Sequence, residues 1–401
     1  MNYGIVAEFN PFHNGHKLVV DALKSGGDNT VTAVMSGSFV QRGECACVSV
    51  NERVKMALSN GVDLVLLLPV PYATSSAESF AKAGVDLLFG SGVVDALGFG
   101  AETDNADLLV ECVKFMQTSE FNDKLKLRLS EGHSFPRARQ LALADCGEGA
   151  CADAISTPNN ILGIEYIKAI INGGYADFSN VADKIKVVKR QGVDHDSADL
   201  TGDICSASAL RELLKNVEDY KQFLPTESYK ILSEAVNSGK APADYKKLET
   251  AILYKLRTMS ADDFALLPDV TEGLEYRIVN AVRSSVSLDE ILGKIKTKRY
   301  THSRLRRIIL CAFLGINKAD VSLPVPYIKV QGFNSNGAAL LKKAKASSTL
   351  PIVTKRGDLY ELGADANRVY NAECCARDIF SLALPIPDES GKEMTDKLII
   401  L

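Results

Sequence analysis

Residues 3–19, which read YGIVAEFNPFHNGHKLV, decide the fold of this chain. The apolar run at residues 3–8 predicts a short strand that ends at a carboxylate, Glu8. Pro11 favours a turn, and the apolar spacing beyond it predicts an amphipathic helix. A strand that leads into a helix through a tight turn directs the first N–H groups of that helix towards the carboxyl edge of a parallel sheet. The stretch therefore predicts a phosphate site at that edge.

Two histidines, His13 and His16, lie at the predicted start of the helix. They are three residues apart, so both face the same side of the turn and can donate hydrogen bonds to phosphate oxygens. Gly15 lets the backbone approach a ligand closely because it has no Cβ. The alternative is a pair of exposed loop histidines. The strand before them and the helix after them favour a site for nucleotide phosphate.

This stretch resembles the HxGH signature of the nucleotidyltransferase superfamily, Rossmann-like enzymes that attack the α-phosphate of ATP. That superfamily has a second signature, ISSTxxR, near the end of its catalytic domain. Residues 204–211 read ICSASALR, in which Ser206, Ser208 and Arg211 match Ser, Thr and Arg, and Ala207 replaces the other Ser. The presence of both signatures, in order and within one domain-sized span, is a specific signal.

The composition is that of a globular protein of two or three domains. The chain has 401 residues, of which 46% are hydrophobic and 24% charged, and its net charge of −4 excludes a globally basic nucleic-acid binder. Neither a signal peptide nor an apolar run of membrane-spanning length is evident. The nine cysteines lack zinc-site spacing, so they predict free thiols in a reducing cytoplasm and no metal site.

Strand and helix patterns alternate along the first half of the chain and predict a doubly wound α/β fold with a parallel sheet. We expect three parts: a Rossmann-like ATP-binding catalytic domain at residues 1–215, a helical, partly basic region at 216–320, and a small C-terminal α/β module at 321–401. Gln41 and Arg42 lie in a loop at the carboxyl edge of the sheet, where they meet either substrate or solvent.

A basic stretch within residues 294–307 is the main sign of a nucleic-acid partner. It holds seven Lys and Arg in fourteen residues, with a tyrosine and a histidine among them. Such an excess in an acidic chain is typical of a phosphate-backbone contact, although a solvated helix start is the alternative. The residues predicted to bind RNA are Lys296, Lys298, Arg299, Arg304, Arg306 and Arg307.

The motifs together resemble the tRNA(Met) cytidine acetate ligase family. The matching stretches include AEFNPFHNGH at 7–16, VMSGSFVQRGE at 34–44, GFGAE at 98–102, PNNILGIEY at 158–166 and KTKRYTHSRLRR at 296–307. The resemblance implies that ATP activates acetate as acetyl-adenylate, and that the acetyl group passes to N4 of the wobble cytidine of elongator tRNA(Met). From the short apolar runs we expect no membrane association, and no obligatory protein partner is evident in the sequence.

Carried over by position, the resemblance implies a set of ATP contacts. The segment between Arg190 and His195 is one residue shorter than the family pattern, so Lys189 is the alternative to Arg190. The implied contacts are Val6, Ala7, Glu8, Phe9, Asn10, Pro11, Phe12, His13, Asn14, Gly15, His16, Lys17, Leu18, Val19, Gly100, Asn159 and Arg190.

The expected reaction gives roles to four residues of the two signatures. We expect His13 and His16 to hold the α-phosphate and the leaving pyrophosphate, and Ser208 and Arg211 to hold the β- and γ-phosphates. Mg²⁺ should accompany ATP, without named protein ligands and without a prosthetic group. The base for the cytidine amine stays open among Asp194, His195 and Glu8.

Two other functions compete with this interpretation. The first is an adenylyltransferase that joins AMP to a small phosphorylated cofactor precursor, which the long basic extension disfavours. The second is a non-catalytic RNA-binding protein that kept a nucleotide pocket. The complete set of phosphate-binding motif residues disfavours that second alternative.

Overall fold

A mostly parallel sheet forms the centre of the molecule. The computed structural model describes residues 1–190, 205–216, 219–359 and 361–401. Within these ranges eight strands form one sheet and two short strands form a hairpin. The strands are β1 (Asn2–Ala7), β2 (Thr30–Ser36), β3 (Phe39–Val40), β4 (Glu44–Cys45), β5 (Leu64–Leu68), β6 (Ala96–Ala101), β7 (Ile185–Lys189), β8 (Ile328–Phe333), β9 (Ile352–Val353) and β10 (Ile399–Ile400).

The order of the strands places β1 near the middle of the sheet. The path runs β10-β8-β5-β2-β1-β6-β7, and β9 pairs with β8 outside this path. Strands β5, β2, β1, β6 and β7 run parallel to one another. Strand β5, LVLLL, is buried along its whole length, as a parallel strand covered on both faces requires. The doubly wound α/β prediction is confirmed.

Helices cover both faces of the sheet in the first half of the chain. Helix α1 packs against β2 and β6 on one face, and α4 packs against β1 and β2 on the other, where it meets α9. These helices are α1 (Asn14–Lys24), α2 (Val50–Ser59), α3 (Val70–Ala73), α4 (Ala77–Gly90), α5 (Ala106–Met116), α6 (Ser119–Ser130), α7 (Phe135–Asp145), α8 (Gly149–Ala154), α9 (Pro158–Asn172) and α10 (Ala207–Lys215).

A helical region follows, with a separate hydrophobic core. That core also takes in Phe39 and Val40 of the β3–β4 hairpin, so the hairpin joins the helical region to the sheet. The helices of this core are α12 (Glu249–Arg257), α13 (Ala261–Ala265), α14 (Leu274–Arg283), α15 (Leu288–Ile295), α16 (His302–Leu314) and α17 (Lys318–Ser322). Helix α11 (Thr226–Asn237) precedes them and packs against α2, in the hydrophobic core of the α1 face of the sheet.

The last part of the chain contains the predicted strands and helices, but its strands belong to the central sheet. Strand β8 pairs antiparallel with β5, and β10 pairs parallel with β8. The sheet thus crosses the expected boundary at residue 321, and the three-part division itself stays a prediction. The remaining helices are α18 (Ser335–Ser347), α19 (Gly363–Ser381) and α20 (Lys392–Thr395).

One cysteine pair differs from the expectation of nine free thiols. Cys112 of α5 and Cys151 of α8 form a disulfide, with their Cα atoms 5.4 Å apart. The two residues are 39 positions apart in the sequence, and only the packing of α5 against α8 brings them together. The free-thiol prediction is therefore wrong for this pair.

Within the described ranges, no helix combines the length and the apolar character that crossing a membrane requires.

Candidate active site

A cavity of about 490 Å³ opens where β1, β6 and β7 end. Ligands of open α/β sheets bind at this edge, where neighbouring strands lead to opposite faces. Most of the expected site residues lie around it: Val6, Ala7, Glu8, Phe9, Asn10, His13, Gly15, His16, Leu18, Val19, Gly100, Asn159, Lys189, Arg190, Ser208 and Arg211.

Four expected ATP contacts do not line the cavity. Phe12 is fully buried and packs on Phe9, with the ring centroids 4.8 Å apart. Pro11 precedes it in the turn, and the Asn14 amide donates to the Gln222 carbonyl (2.8 Å). Lys17 pairs with Asp21 on the surface of α1. In this structure these residues support the turn and the helix.

A buried arginine ties together the ends of β1 and β2. The Arg53 guanidinium donates to the carbonyl oxygens of Glu8 (2.7 Å), Ser36 (3.0 Å) and Gly37. Burial lowers the pKa of Arg53 to about 10, so the side chain is still charged at neutral pH. Because Glu8 lines the cavity, Arg53 holds a strand end that shapes it.

The two histidines form the N-terminal cap of α1, and the cap fixes which nitrogen of each ring accepts a hydrogen bond. The Gly15 N–H donates to Nδ1 of His13 (3.0 Å), and the His13 N–H donates to Nδ1 of His16 (3.2 Å). Both Nδ1 atoms are acceptors, so a neutral ring carries its proton on Nε2. The rings stack with centroids 3.7 Å apart. The cap thus prepares two ring N–H donors at the cavity wall.

His16 is held in its neutral form. Burial, followed by the nearby His13 and Arg190, lowers the pKa of His16 well below its ordinary value. A neutral imidazole can donate one hydrogen bond to a phosphate oxygen without adding a proton to it. This suits the stabilisation of charge on a phosphate better than acid catalysis.

The second motif brings two arginines to one hydroxyl. Ser206 caps α10 by accepting from the Ala209 N–H (3.1 Å), which places Ser208 in the first turn. The Ser208 hydroxyl accepts from Arg211 (3.2 Å) and from Arg42 of the hairpin turn (3.3 Å). Two cations and a helix start therefore line the same cavity as the histidine pair, an arrangement that suits a polyphosphate. Ile204, Asp194 and His195 lie outside the described residues.

Asn159 and Arg190 meet at the other end of the cavity. Arg190 Nη1 donates to Asn159 Oδ1 (3.4 Å), while the Asn159 amide donates to Glu102 (2.6 Å). Gly100 lies beside them, since an added Cβ would be 3.4 Å from Arg190. Lys189 also lines the cavity and pairs with the exposed Asp104 (3.5 Å). Both candidates for the strand-end cation thus reach the cavity, and only Arg190 contacts Asn159 in this structure.

Comparison with known proteins shows which family the chain belongs to. A model of the HIGH Nucleotidyl Transferase family matches residues 1–395. The tRNA(Met) cytidine acetate ligase of Caldicellulosiruptor saccharolyticus is 38% identical over 386 residues, which cover 94% of this chain and 93% of that protein. The ligase of the same name from Halothermothrix orenii is 36% identical and covers 96% of both chains. The chain belongs to the tRNA(Met) cytidine acetate ligase family.

Solved structures agree with this placement in the cytidine acetate ligase family. The crystal structure of Thermotoga maritima TmcAL without ligand matches with a TM-score of 0.92, and the one bound with alpha-thio ATP matches with 0.90. Both are 30% identical to this chain and cover 100% of it and 99% of their own length. The family fold therefore extends across the helical region and the C-terminal strands.

One side of the ligase cavity holds residues that the motifs alone did not assign. Phe80 of α4, Phe99 of β6, and Leu162 and Tyr166 of α9 form an apolar wall. Tyr166 is the last residue of the family-like stretch at residues 158–166. Its place in that stretch was the sequence feature that could have indicated a role for it in the cavity. Gln41 and Arg42, left open between substrate and solvent, both line the cavity.

Most of the basic side chains predicted to bind RNA make hydrogen bonds or ion pairs with other residues of the protein. Arg304 donates to the Asp269 carbonyl (2.6 Å), Arg307 pairs with Asp269 (3.3 Å), and Arg306 pairs with Glu44 of the hairpin. The other three are Lys296, which donates to the Tyr300 carbonyl; Arg299, which is exposed and pairs with Glu272; and Lys298, which is exposed. Lys298 and Arg299 are the members best placed to meet a ligand.

Within the described residues, no group of three or more His, Cys, Asp or Glu side chains is arranged to hold a metal ion. Arg42 and Arg211 line the cavity together with the histidine pair.

Glu102 should make the stability of the protein depend on pH. Burial alone would raise the pKa of Glu102, but hydrogen bonds from Asn159, Thr157 and the Asn160 N–H lower it overall. The folded carboxylate is thus favoured, and its contribution to stability is present above the unfolded pKa and lost as the pH falls through the folded pKa. We expect Glu102→Gln to lower the melting temperature at pH 7, and the difference from wild type to shrink below about pH 4. If the difference in melting temperature between the two proteins is the same at every pH, the ionised Glu102 carboxylate is not the cause of it.

Proposed function

We propose that this chain activates acetate with ATP to form acetyl-adenylate and pyrophosphate. It then transfers the acetyl group to N4 of the wobble cytidine, C34, of elongator tRNA(Met), forming N4-acetylcytidine. The observation that carries the proposal is the convergence of His13, His16, Ser208 and Arg211 on one cavity in a member of this family. Phosphate chemistry needs donors gathered in this way, whereas RNA docking does not.

The activation step depends on charge stabilisation. An acetate oxygen attacks the α-phosphorus, and the bond from phosphorus to the bridging oxygen of pyrophosphate breaks. Charge grows on the non-bridging and leaving oxygens, and the Nε2–H groups of His13 and His16 are placed to donate to them. Ser208, Arg211 and Arg42 hold the β- and γ-phosphates, so that the leaving group is bound as it departs.

The nucleoside binds on the α1 side of the cavity. Leu18 and Val19 of α1, with Gly100 at the end of β6, offer an apolar surface to the base and ribose. Asn159 and Arg190 bound that surface. ATP is therefore a substrate held by the cavity-lining residues of the 6–19 stretch together with Gly100, Asn159 and Arg190, and Mg²⁺ accompanies its phosphates.

The transfer step needs the tRNA anticodon loop at the same cavity. Bases of a single-stranded loop can be splayed out of the stack and inserted into a site. The helical region at residues 216–320 then holds the anticodon stem through the basic stretch, with the exposed Lys298 and Arg299 as its first contacts. It lies beside the catalytic region at 1–215 and the C-terminal part at 321–401. Since its substrates are tRNA and ATP, we place the enzyme in the cytoplasm.

Exchange of labelled pyrophosphate into ATP, with and without acetate and in the absence of tRNA, tests the activation step. Exchange that depends on acetate supports acetyl-adenylate formation. Exchange that stays absent with acetate and bulk elongator tRNA(Met) together would contradict the proposed activity. Mass spectrometry of the recovered tRNA then tests for N4-acetylcytidine at C34.

Lys298 offers the cleanest test of the RNA surface, because it is exposed while most of the other basic side chains contact the protein. We expect Lys298→Ala to weaken tRNA binding and to reduce the slope of log affinity against log salt concentration by about one. The matched control is Lys126→Ala on α6, whose side chain is 79% exposed. Equal tRNA affinities and salt slopes for the two variants would remove Lys298 from the interface.

A further inference from the structure

The cavity extends to both faces of the sheet, and the two faces differ. The ideal Cβ of Gly98 would lie 2.5 Å from Leu23, so Gly98 faces α1. The next residue, Phe99, faces α9, where it contacts Gly163 and lies 5.7 Å from the Tyr166 ring. Val6 likewise faces α4, because it touches Gly84. The expected ATP contacts on α1 occupy one face, and Val6 and Asn159 are expected ATP contacts on the α4–α9 face. Beside them, the lobe formed by Phe80, Phe99, Leu162 and Tyr166 has no assigned role.

This lobe combines aromatic walls with a hydroxyl and a carboxylate. Phe80, Phe99 and Tyr166 contribute rings, and Glu8 lies at the edge where the lobe meets the strand ends. Tyr166 is only 4% exposed, yet none of the described residues hydrogen-bonds its hydroxyl. Burial, to which the Glu8 charge adds, raises the pKa of Tyr166. The hydroxyl therefore keeps its proton, and as part of a residue that lines the cavity it is available as a donor to a ligand.

We propose that this lobe binds the acceptor cytosine, with Tyr166 donating to ring N3 and Glu8 accepting from the N4 amine. The inference rests on the proposed function and names the residues that read and activate its acceptor. A flipped base is commonly held between aromatic side chains and read along its Watson–Crick edge. A hydroxyl donor beside a carboxylate acceptor complements N3 and N4 of cytosine. Uracil presents the opposite pattern at both positions.

Glu8 also lies next to the group that cytosine must attack. Its Oε1 accepts from the Gln41 N–H (2.9 Å), and the adjacent Arg42 contacts Ser208 of the phosphate cluster. The acetyl carbonyl of the adenylate, attached to the α-phosphate, therefore lies between that cluster and the lobe. N4 attacks the carbonyl carbon, the bond from that carbon to the AMP oxygen breaks, AMP leaves as the anion, and the amine proton passes to Glu8.

Hydroxylamine separates the two half-reactions, since it is a stronger nucleophile than the cytidine amine and can capture acetyl-adenylate without the lobe. Glu8→Gln keeps an oxygen for the Gln41 N–H but cannot take up the amine proton. We expect this variant to lose tRNA acetylation by at least about 10²-fold more than it loses acetate-dependent hydroxamate formation. Tyr166→Phe should lower acetylation about tenfold while leaving the KM for acetate in pyrophosphate exchange unchanged.

Three outcomes would overturn the inference: equal losses in the two assays for Glu8→Gln, wild-type acetylation by either variant, or a raised acetate KM in Tyr166→Phe. The last result would place acetate, and not the base, in the lobe. If Glu8→Gln does not fold, Tyr166→Phe decides alone, because it removes only one oxygen. Absence of acetate-dependent exchange in the wild type would instead contradict the proposed function, so the two failures are distinguishable.

Discussion

Replacing His16 with alanine should reduce acetate-dependent exchange of pyrophosphate into ATP by about 10³-fold, because the variant loses a donor aimed at the charge that develops on the α-phosphate. His16 is half-buried and neutral, and its Nδ1 already accepts from the His13 N–H. The ring therefore contributes through Nε2–H alone. Initial exchange rates at saturating ATP and acetate measure the effect.

The control for His16 must preserve the cap of α1. His16→Gln retains an acceptor for the N-cap N–H, as Glu or Gln does in a capping box, so it should keep the melting temperature closer to wild type. Both variants should bind tRNA(Met) with wild-type affinity, since the basic stretch is untouched. Wild-type exchange by His16→Ala would eliminate the assigned role of the histidine pair.

Arg211→Ala should be the next most damaging change, with a loss of about 10²–10³-fold in kcat/KM for ATP. Arg211 donates to the Ser208 hydroxyl and also to the Asn10 carbonyl (3.1 Å), so it links the second motif to the first turn. Arg211→Lys keeps the charge but not the planar fork, and it should recover only part of the activity. Steady-state kinetics with ATP varied at saturating acetate give both values.

Arg42 provides the test of whether the two arginines act on one ligand group. Both side chains donate to the Ser208 hydroxyl. The losses in kcat/KM for ATP caused by Arg42→Ala and Arg211→Ala should therefore not be additive, and the double-mutant cycle should give a coupling energy of roughly 1–3 kcal/mol. Strict additivity would mean that the two arginines contact different parts of the substrate. The assignment of Arg42 to the phosphates would then be wrong.

The sequence predicted the parallel part of the fold well because its strands carry local signals. Strand β5 is an uninterrupted apolar run, and β1 leads directly into the capped helix α1. The pairing of β8 with β5 had no such signal. It joins residues more than 260 positions apart, and nothing in the β8 segment itself indicates whether it pairs with the main sheet or with a sheet of its own.

The site was predicted to the extent that contiguous motifs encode it. His13 and His16 lie on one turn, and Ser208 and Arg211 on another, so spacing alone brought each pair together. Arg42 and Tyr166 reach the cavity from the hairpin and from the middle of α9, and those positions depend on tertiary packing. The same limit applies to the basic stretch, in which charge was visible but the partners Asp269 and Glu44 were not.

The position of β8 also bears on how the chain is made. Until residues 328–333 have emerged from the ribosome, β5 has a neighbour on one side only and presents a fully apolar strand with unpaired amides and carbonyls. The catalytic motifs are synthesised more than 100 residues before that edge is covered. The nascent chain thus passes through a long interval in which its half-finished sheet can pair with other chains. We expect translation products that stop after residue 215 to aggregate rather than to accumulate as an active ATP-binding fragment.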